Sequence, residues 1–137
     1  MVSRGGQTPL AAIVVNFNAG EALSRCIRSV LAQDDSSTVT VIDNASTDGS
    51  AAQAQRQFGS ERRVRFLQNA DNPGFATAVN RAARRLLEES PGPAADGCLL
   101  ILNPDCEMQA GSLRALRHAL EADPVAALAG PLVTDQA

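Results

Sequence analysis

Apolar and polar positions alternate in blocks along this chain of 137 residues. Leu10 to Asn16 is an apolar, β-branched run, which predicts a buried strand. Asn18-Ala19-Gly20 breaks it. From Glu21 the apolar positions are Leu23, Cys26, Ile27, Val30 and Leu31, the spacing of a helix lying on a sheet. Asp34 to Ser37 reads as a loop and Val39 to Ile42 as a second strand. Ser46 or Thr47 is expected to cap a short helix running to Phe58, with Asp48 favourable near its N-terminus and Gly59 as its stop. Val64 to Leu67 reads as a third strand, and Asn69 to Gly74 as a turn-rich loop. Phe75, Val79, Ala82, Ala83 and Leu86 form the next helical stripe, ending before Pro91-Gly92-Pro93. Cys98 to Leu102 is the fourth strand. Ser112 is expected to cap a helix carrying Leu113, Leu116 and Leu120, closed by Pro124. Val125 to Val133 is expected as a last strand, weakened by Gly130-Pro131.

This alternation predicts an α/β fold, a mostly parallel sheet with helices on both faces. Right-handed crossovers then put every strand-to-helix loop at one sheet edge. The polar clusters lie in those loops: Asn16-Phe17-Asn18, Asp43 to Asp48, Asn69 to Gly74, and Asn103-Pro104-Asp105. Four separate loops are thus expected to line one crevice, where open α/β sheets bind ligands. Residues 1–9 lack the apolar centre of a signal peptide and read as a flexible leader. Residues 10–137 have the length of one domain.

Composition narrows the function. There are four Phe and no Tyr or Trp, so aliphatic residues must build the core. Every one of the twelve basic residues is Arg, and the net charge is -3, which argues against a general nucleic-acid binder. No stretch is long and apolar enough to span a membrane. Cys26, Cys98 and Cys106 form neither a disulfide framework nor a zinc spacing, and a reducing cytoplasm is the expected setting.

The crevice residues suggest chemistry. Asp43 ends a strand, where its carboxylate can accept hydrogen bonds from a base imide or ribose hydroxyls, or cap the following turn. Asp105 follows the fully apolar strand Leu99 to Leu102. A divalent cation, Mg or Mn, shared with nucleotide phosphates accounts for a lone carboxylate there, and so does a Pro-Asp turn capping the next helix. Pro104 disfavours helical backbone at Asn103, so the strand is expected to continue with Asn103 and Asp105 on one side, Asn103 ligating or steadying Asp105. Glu107 and His118 read as solvated. Asn72-Pro73-Gly74 opens a helix whose free N–H groups can meet ligand oxygens. Asn80 faces either the crevice or solvent, and Arg81, Arg84 and Arg85 read as a solvated face. No dinucleotide-binding glycine motif, phosphate-loop Lys or nucleophile elbow is present.

Four segments together, Val14-Val15-Asn16-Phe17-Asn18, Val41 to Ser50, Asn72 to Ala76 with Asn80, and Leu102 to Asp105, resemble the family 2 glycosyltransferases of the GT-A, Rossmann-like fold, in the rhamnosyltransferase-like branch. The resemblance implies a nucleotide-diphosphate sugar as donor, an inverting transfer to a hydroxyl of a glycan or lipid-linked acceptor, and a divalent metal. It implies nucleotide-binding roles for Val15, Asn16, Phe17, Asp43, Asn72, Gly74 and Asn80. It matches Asp105 to the last position of the Asp-x-Asp metal motif, with Asn103 at the first. Family members are usually longer and carry the catalytic carboxylate far beyond that motif. The chain therefore reads as a truncated, donor-binding part without the general base, working in the cytoplasm or at the inner face of the membrane.

Two rivals come from other classes. A non-catalytic nucleotide-binding or self-associating fragment, lacking the acceptor half, would leave a bare sheet edge that favours homo-oligomers. A flavodoxin-like or receiver-type domain shares the alternation, but receivers use a Lys that this chain lacks.

Overall fold

The computed structural model describes residues 10–33, 37–89 and 97–134. The expected leader 1–9, most of the Asp34 to Ser37 loop and the Pro91-Gly92-Pro93 breaker lie outside the described residues.

Four strands and four helices alternate: β1 (Leu10–Asn16), α1 (Ala22–Leu31), β2 (Ser37–Asp43), α2 (Ser50–Phe58), β3 (Val64–Gln68), α3 (Phe75–Glu89), β4 (Cys98–Leu102) and α4 (Ser112–Ala122). The strands form one sheet in the order β3-β2-β1-β4, and all three pairings are parallel. The α/β class with a parallel sheet is therefore realised.

The sheet is covered on both faces because alternate strand residues point to opposite sides. Ala12, Val14, Val39 and Val41 pack with Leu23, Cys26, Ile27 and Val30 of α1 and Ala54 of α2. Ile13, Val15 and Ile42 pack with Ala78 and Ala82 of α3. Ile13, Leu23 and Ile27 are fully buried, each contributing about 1.5–3 kcal/mol of transfer free energy. Small Ala78 and Ala82 let α3 approach the sheet closely. On the α3 side β4 keeps Leu99 and Ile101 half-exposed.

Four expectations are corrected. Ser37 belongs to β2, not to a loop. No strand forms between Val125 and Val133; that stretch has no regular structure, and Val125, Leu128, Leu132 and Val133 are exposed. Gly130-Pro131 interrupts the ladder donors a strand needs, and hydrophobicity without a pairing partner does not make one. Neither Ser46 nor Thr47 caps α2, nor does Ser112 cap α4: the caps are Gly49 (φ 81°) and Gly111 (φ 82°). Ser46 is instead committed to cross-loop hydrogen bonds. Finally, the chain does not stay extended past Leu102. Cys106 N–H donates to Asn103 O at 3.2 Å, closing a turn with Pro104 at its favoured second position. The side-by-side placement expected of Asn103 and Asp105 from strand parity does not apply.

Candidate functional site

The parallel register puts Asn16 beside Asp43, and Asp43 beside Gln68. β4 ends at Leu102, paired with Val14. Asp43 and the turn holding Asp105 are thus at the same carboxyl-end edge, two strand spacings or about 10 Å apart along it.

Two polar networks tie the loops at this edge, and strand parity separates them. Asn16 and Asp43 share the α1/α2 side. Asn16 Nδ2 donates to Asp43 Oδ1 at 2.7 Å, Ser50 Oγ at 2.9 Å and Ser46 Oγ at 3.0 Å. Asp43 also accepts from Ser46 Oγ at 2.6 Å and from Ser46 N–H at 3.0 Å. Asp43 therefore caps the turn after β2, and only Oδ2 keeps spare accepting capacity. The acceptors facing Asn16 fix its amide, and no partner for the buried Asn16 Oδ1 is found among the described residues. Buried acceptors without a partner are rare in folded proteins. Asn18, with φ 51°, accepts Thr47 N–H on Oδ1 at 2.8 Å and donates its own N–H to Ser46 Oγ at 2.9 Å. Asp48 accepts from the Ser50 hydroxyl at 2.6 Å, the Ser50 N–H at 2.9 Å and the Gly20 N–H at 2.8 Å. These bonds, the Ser50 hydroxyl first, hold its carboxyl below the ordinary value.

Asn44, one residue on, falls on the α3 side and is buried. Its Nδ2 donates to Asn72 Oδ1 at 3.1 Å and Gly74 O at 3.4 Å. Its Oδ1 accepts from Asn69 Nδ2 at 2.8 Å. Asn69 Oδ1 accepts from Arg81 Nη1 at 2.8 Å, and Asn72 Oδ1 accepts Gly74 N–H at 3.0 Å. Gly74 has φ 87°, a conformation that favours glycine.

The turn after β4 is strapped to α1 instead. Cys26 Sγ donates to Asn103 O at 3.6 Å, Met108 N–H to Ser29 Oγ at 2.9 Å, and Arg25 Nε pairs with Glu107 Oε1 at 2.7 Å. Burial pushes the Cys26 thiol up to about 12, with Cys106, Asp105 and Glu107 adding to the rise. Glu107 is thus an ion-pair partner rather than merely solvated.

Of the residues expected at the site, Asn16, Asp43, Asn72 and Gly74 are joined into these networks. Phe17 is half-exposed at the same edge, while the Val15 side chain belongs to the core. Asn80 is exposed within α3, and no hydrogen bond of its side chain is found among the described residues. Asn103 and Asp105 share the edge without bonding to the Asp43 cluster; Asp105 is exposed, with no hydrogen bond or ion pair found among the described residues. Asn18, Asn44, Ser46, Asp48, Ser50 and Asn69 lie in the polar segments expected at this edge, but none of them carries a ligand-binding role in the sequence reading. Parity past the strand end signals Asn44, because it must leave the sheet opposite to Asp43. Arg81 is exposed, as its reading as a solvated face expects, and it also donates to Asn69 Oδ1.

The family model described as "Glycosyl transferase family 2" matches residues 11–136. The chain is 34% identical over 130 residues to an N-acetylglucosaminyl-diphospho-decaprenol L-rhamnosyltransferase of Mycobacterium tuberculosis, covering 92% of this chain and 41% of that protein. It thus spans about two fifths of the length of that curated relative. Among solved structures, the mannosyltransferase PcManGT from Pyrobaculum calidifontis in complex with GDP-Man and Mn2+ superposes with a TM-score of 0.69 at 23% identity, over 87% of this chain and 34% of that one. TarS residues 1–349 of S. aureus in complex with UDP gives 0.60 at 18% identity, over 83% of this chain and 32% of that one. These likenesses show a shared GT-A fold.

Proposed function

This chain belongs to glycosyl transferase family 2, and we propose that it forms the part of a sugar transferase that holds a nucleotide-diphosphate sugar. The observation that carries the reading is the meeting of the β1, β2 and β3 loops in two hydrogen-bonded networks, at the same sheet edge as Asp105. Phe17, Asn16, Asn72, Gly74 and Asn80 line the nucleotide end in this reading, with Val15 contributing backbone. Asp43 organises that end and meets the ligand through Oδ2.

The residues present fit a hard divalent cation. Among the described residues no three His, Cys, Asp or Glu gather as a metal-binding group, so a protein cage of the zinc type does not fit. Mg or Mn takes most of its ligands from phosphate and water and needs one or two carboxyl groups. Asp105, with Asn103 opening the same turn two residues earlier, would hold that ion, which would supply charge stabilisation for the departing diphosphate.

In this reading the transfer is inverting, as the family resemblance implies, and delivers the sugar to a hydroxyl of a glycan or lipid-linked acceptor, the latter by kinship with the rhamnosyltransferase named above. The expected setting is the cytoplasm, or its membrane face. Three cysteines without disulfides accord with a reducing compartment, and among the described residues no helix is long and apolar enough to cross a membrane. The half-exposed β4 face supports self-association as the rival reading.

Calorimetry of this chain with UDP, dTDP and GDP, each with and without Mn²⁺, tests the proposal. Binding that needs the metal is expected for at least one nucleotide. Absence of binding to all three, together with a dimer by sizing chromatography, would favour the interaction reading.

A further inference from the structure

The asparagines at the α3 side of the crevice have amide orientations that their neighbours leave no choice about. The two ends of an asparagine amide have nearly the same shape, so only hydrogen-bond polarity decides which faces where. Three groups here have fixed polarity. The Gly74 N–H and the Arg81 guanidinium only donate, and the Gly74 carbonyl only accepts. Gly74 N–H requires an oxygen from Asn72, which it finds at 3.0 Å. Gly74 O requires a nitrogen from Asn44, at 3.4 Å. Arg81 Nη1 requires an oxygen from Asn69, at 2.8 Å. The internal links agree: Asn44 Nδ2 donates to Asn72 Oδ1 at 3.1 Å, and Asn69 Nδ2 to Asn44 Oδ1 at 2.8 Å. Reversing any amide would set donor against donor or oxygen against oxygen.

The relay has a chemical output. Asn72 Oδ1 takes two hydrogen bonds from the protein and is used up. Asn72 is exposed, and no protein acceptor for its Nδ2 is found among the described residues, which leaves two N–H groups for a ligand or solvent. The crevice at this end thus offers a donor that cannot turn into an acceptor. A base that turns a carbonyl oxygen to Asn72 pairs with it, and a base that turns an exocyclic amine to it sets donor against donor.

We propose that Asn72 is a base-discriminating residue that donates to a carbonyl oxygen of uracil, thymine or guanine and rejects the amine of cytosine or adenine, and that Asn44, Asn69 and Arg81 are positioning residues that lock its amide. This rests on the nucleotide-binding reading above.

UDP and CDP test it, since position 4 of the ring carries a carbonyl in one and an amine in the other. In calorimetry with Mn²⁺ the chain should bind UDP about tenfold more tightly than CDP, the scale of one hydrogen bond gained against one donor opposed. Asn72→Asp keeps both inward acceptor contacts and presents an oxygen outward. Its added charge weakens both nucleotides, so the readout is their ratio, which should fall to one or below. Arg81→Glu sets an acceptor against Asn69 Oδ1 and should also lower the ratio, while Arg81→Lys, again only a donor, should keep it. Equal binding of UDP and CDP by the unaltered chain, or an unchanged ratio in Asn72→Asp, would overturn the inference while the nucleotide reading stands. Failure of the unaltered chain to bind any nucleotide would overturn both.

Discussion

Asn16 and Asp43 end neighbouring parallel strands in register, and their buried side chains meet in a hydrogen bond of 2.7 Å. Two loops that are far apart in sequence are thereby locked at their roots. A buried carboxylate is tolerated there because Asn16 and Ser46 supply donors to it.

Asp43→Ala removes the acceptor for Asn16 Nδ2, the Ser46 hydroxyl and the Ser46 N–H. Leaving buried donors unpaired should lower stability by about 2–3 kcal/mol. Urea unfolding followed by circular dichroism measures it, and an unchanged midpoint would contradict the network.

Asp105→Ala should leave stability within about 0.5 kcal/mol, as expected for an exposed residue without partners. It should nevertheless abolish the Mn²⁺ dependence of nucleotide binding. Calorimetry with and without Mn²⁺ reads this directly, and a variant that keeps the dependence would remove Asp105 from the metal site.

The Cys26 thiol, buried and pushed up to about 12, stays neutral near pH 7. Because the thiolate is the nucleophile, Cys26 should resist alkylation in the folded protein and react on unfolding. Cys98 and Cys106 are partly exposed and should react first. Mass spectrometry after a short maleimide pulse distinguishes the sites; early labelling of Cys26 would contradict its burial.

Asp48 binds its proton less readily in the folded chain than its ordinary value of 3.8 implies, chiefly through the Ser50 hydroxyl. Folding therefore favours the ionised form. Its contribution is present above that ordinary value and lost as the pH falls through the lower folded one. The group is exposed, so the effect is small. Asp48→Asn should flatten the stability curve below about pH 4, measured by denaturation at several pH values. A curve with the same slope as the unaltered chain would show that Asp48 does not contribute.

Periodicity and run length carried the architecture. The Leu23 to Leu31 stripe of α1 and the Phe75 to Leu86 stripe of α3 state a helical period, the short apolar runs of β1 and β4 have the length of buried strands, and right-handed crossovers then gather the polar loops at one edge. Val125 to Val133 shows where that logic stops: apolar residues without a pairing edge stay exposed.

The sequence by itself thus determined a parallel α/β sheet, its family and the edge where Asp43 and Asp105 stand. Only the tertiary structure decided which side chains bind one another there. Hydrogen-bond polarity depends on what faces each amide, and the neighbours that fix Asn16, Asn44 and Asn72 come from other loops. For the same reason Asn103 became a turn opener and Arg81 a donor to Asn69, roles that spacing along the chain does not encode, while Asp43 caps the following turn as one of its two sequence readings has it.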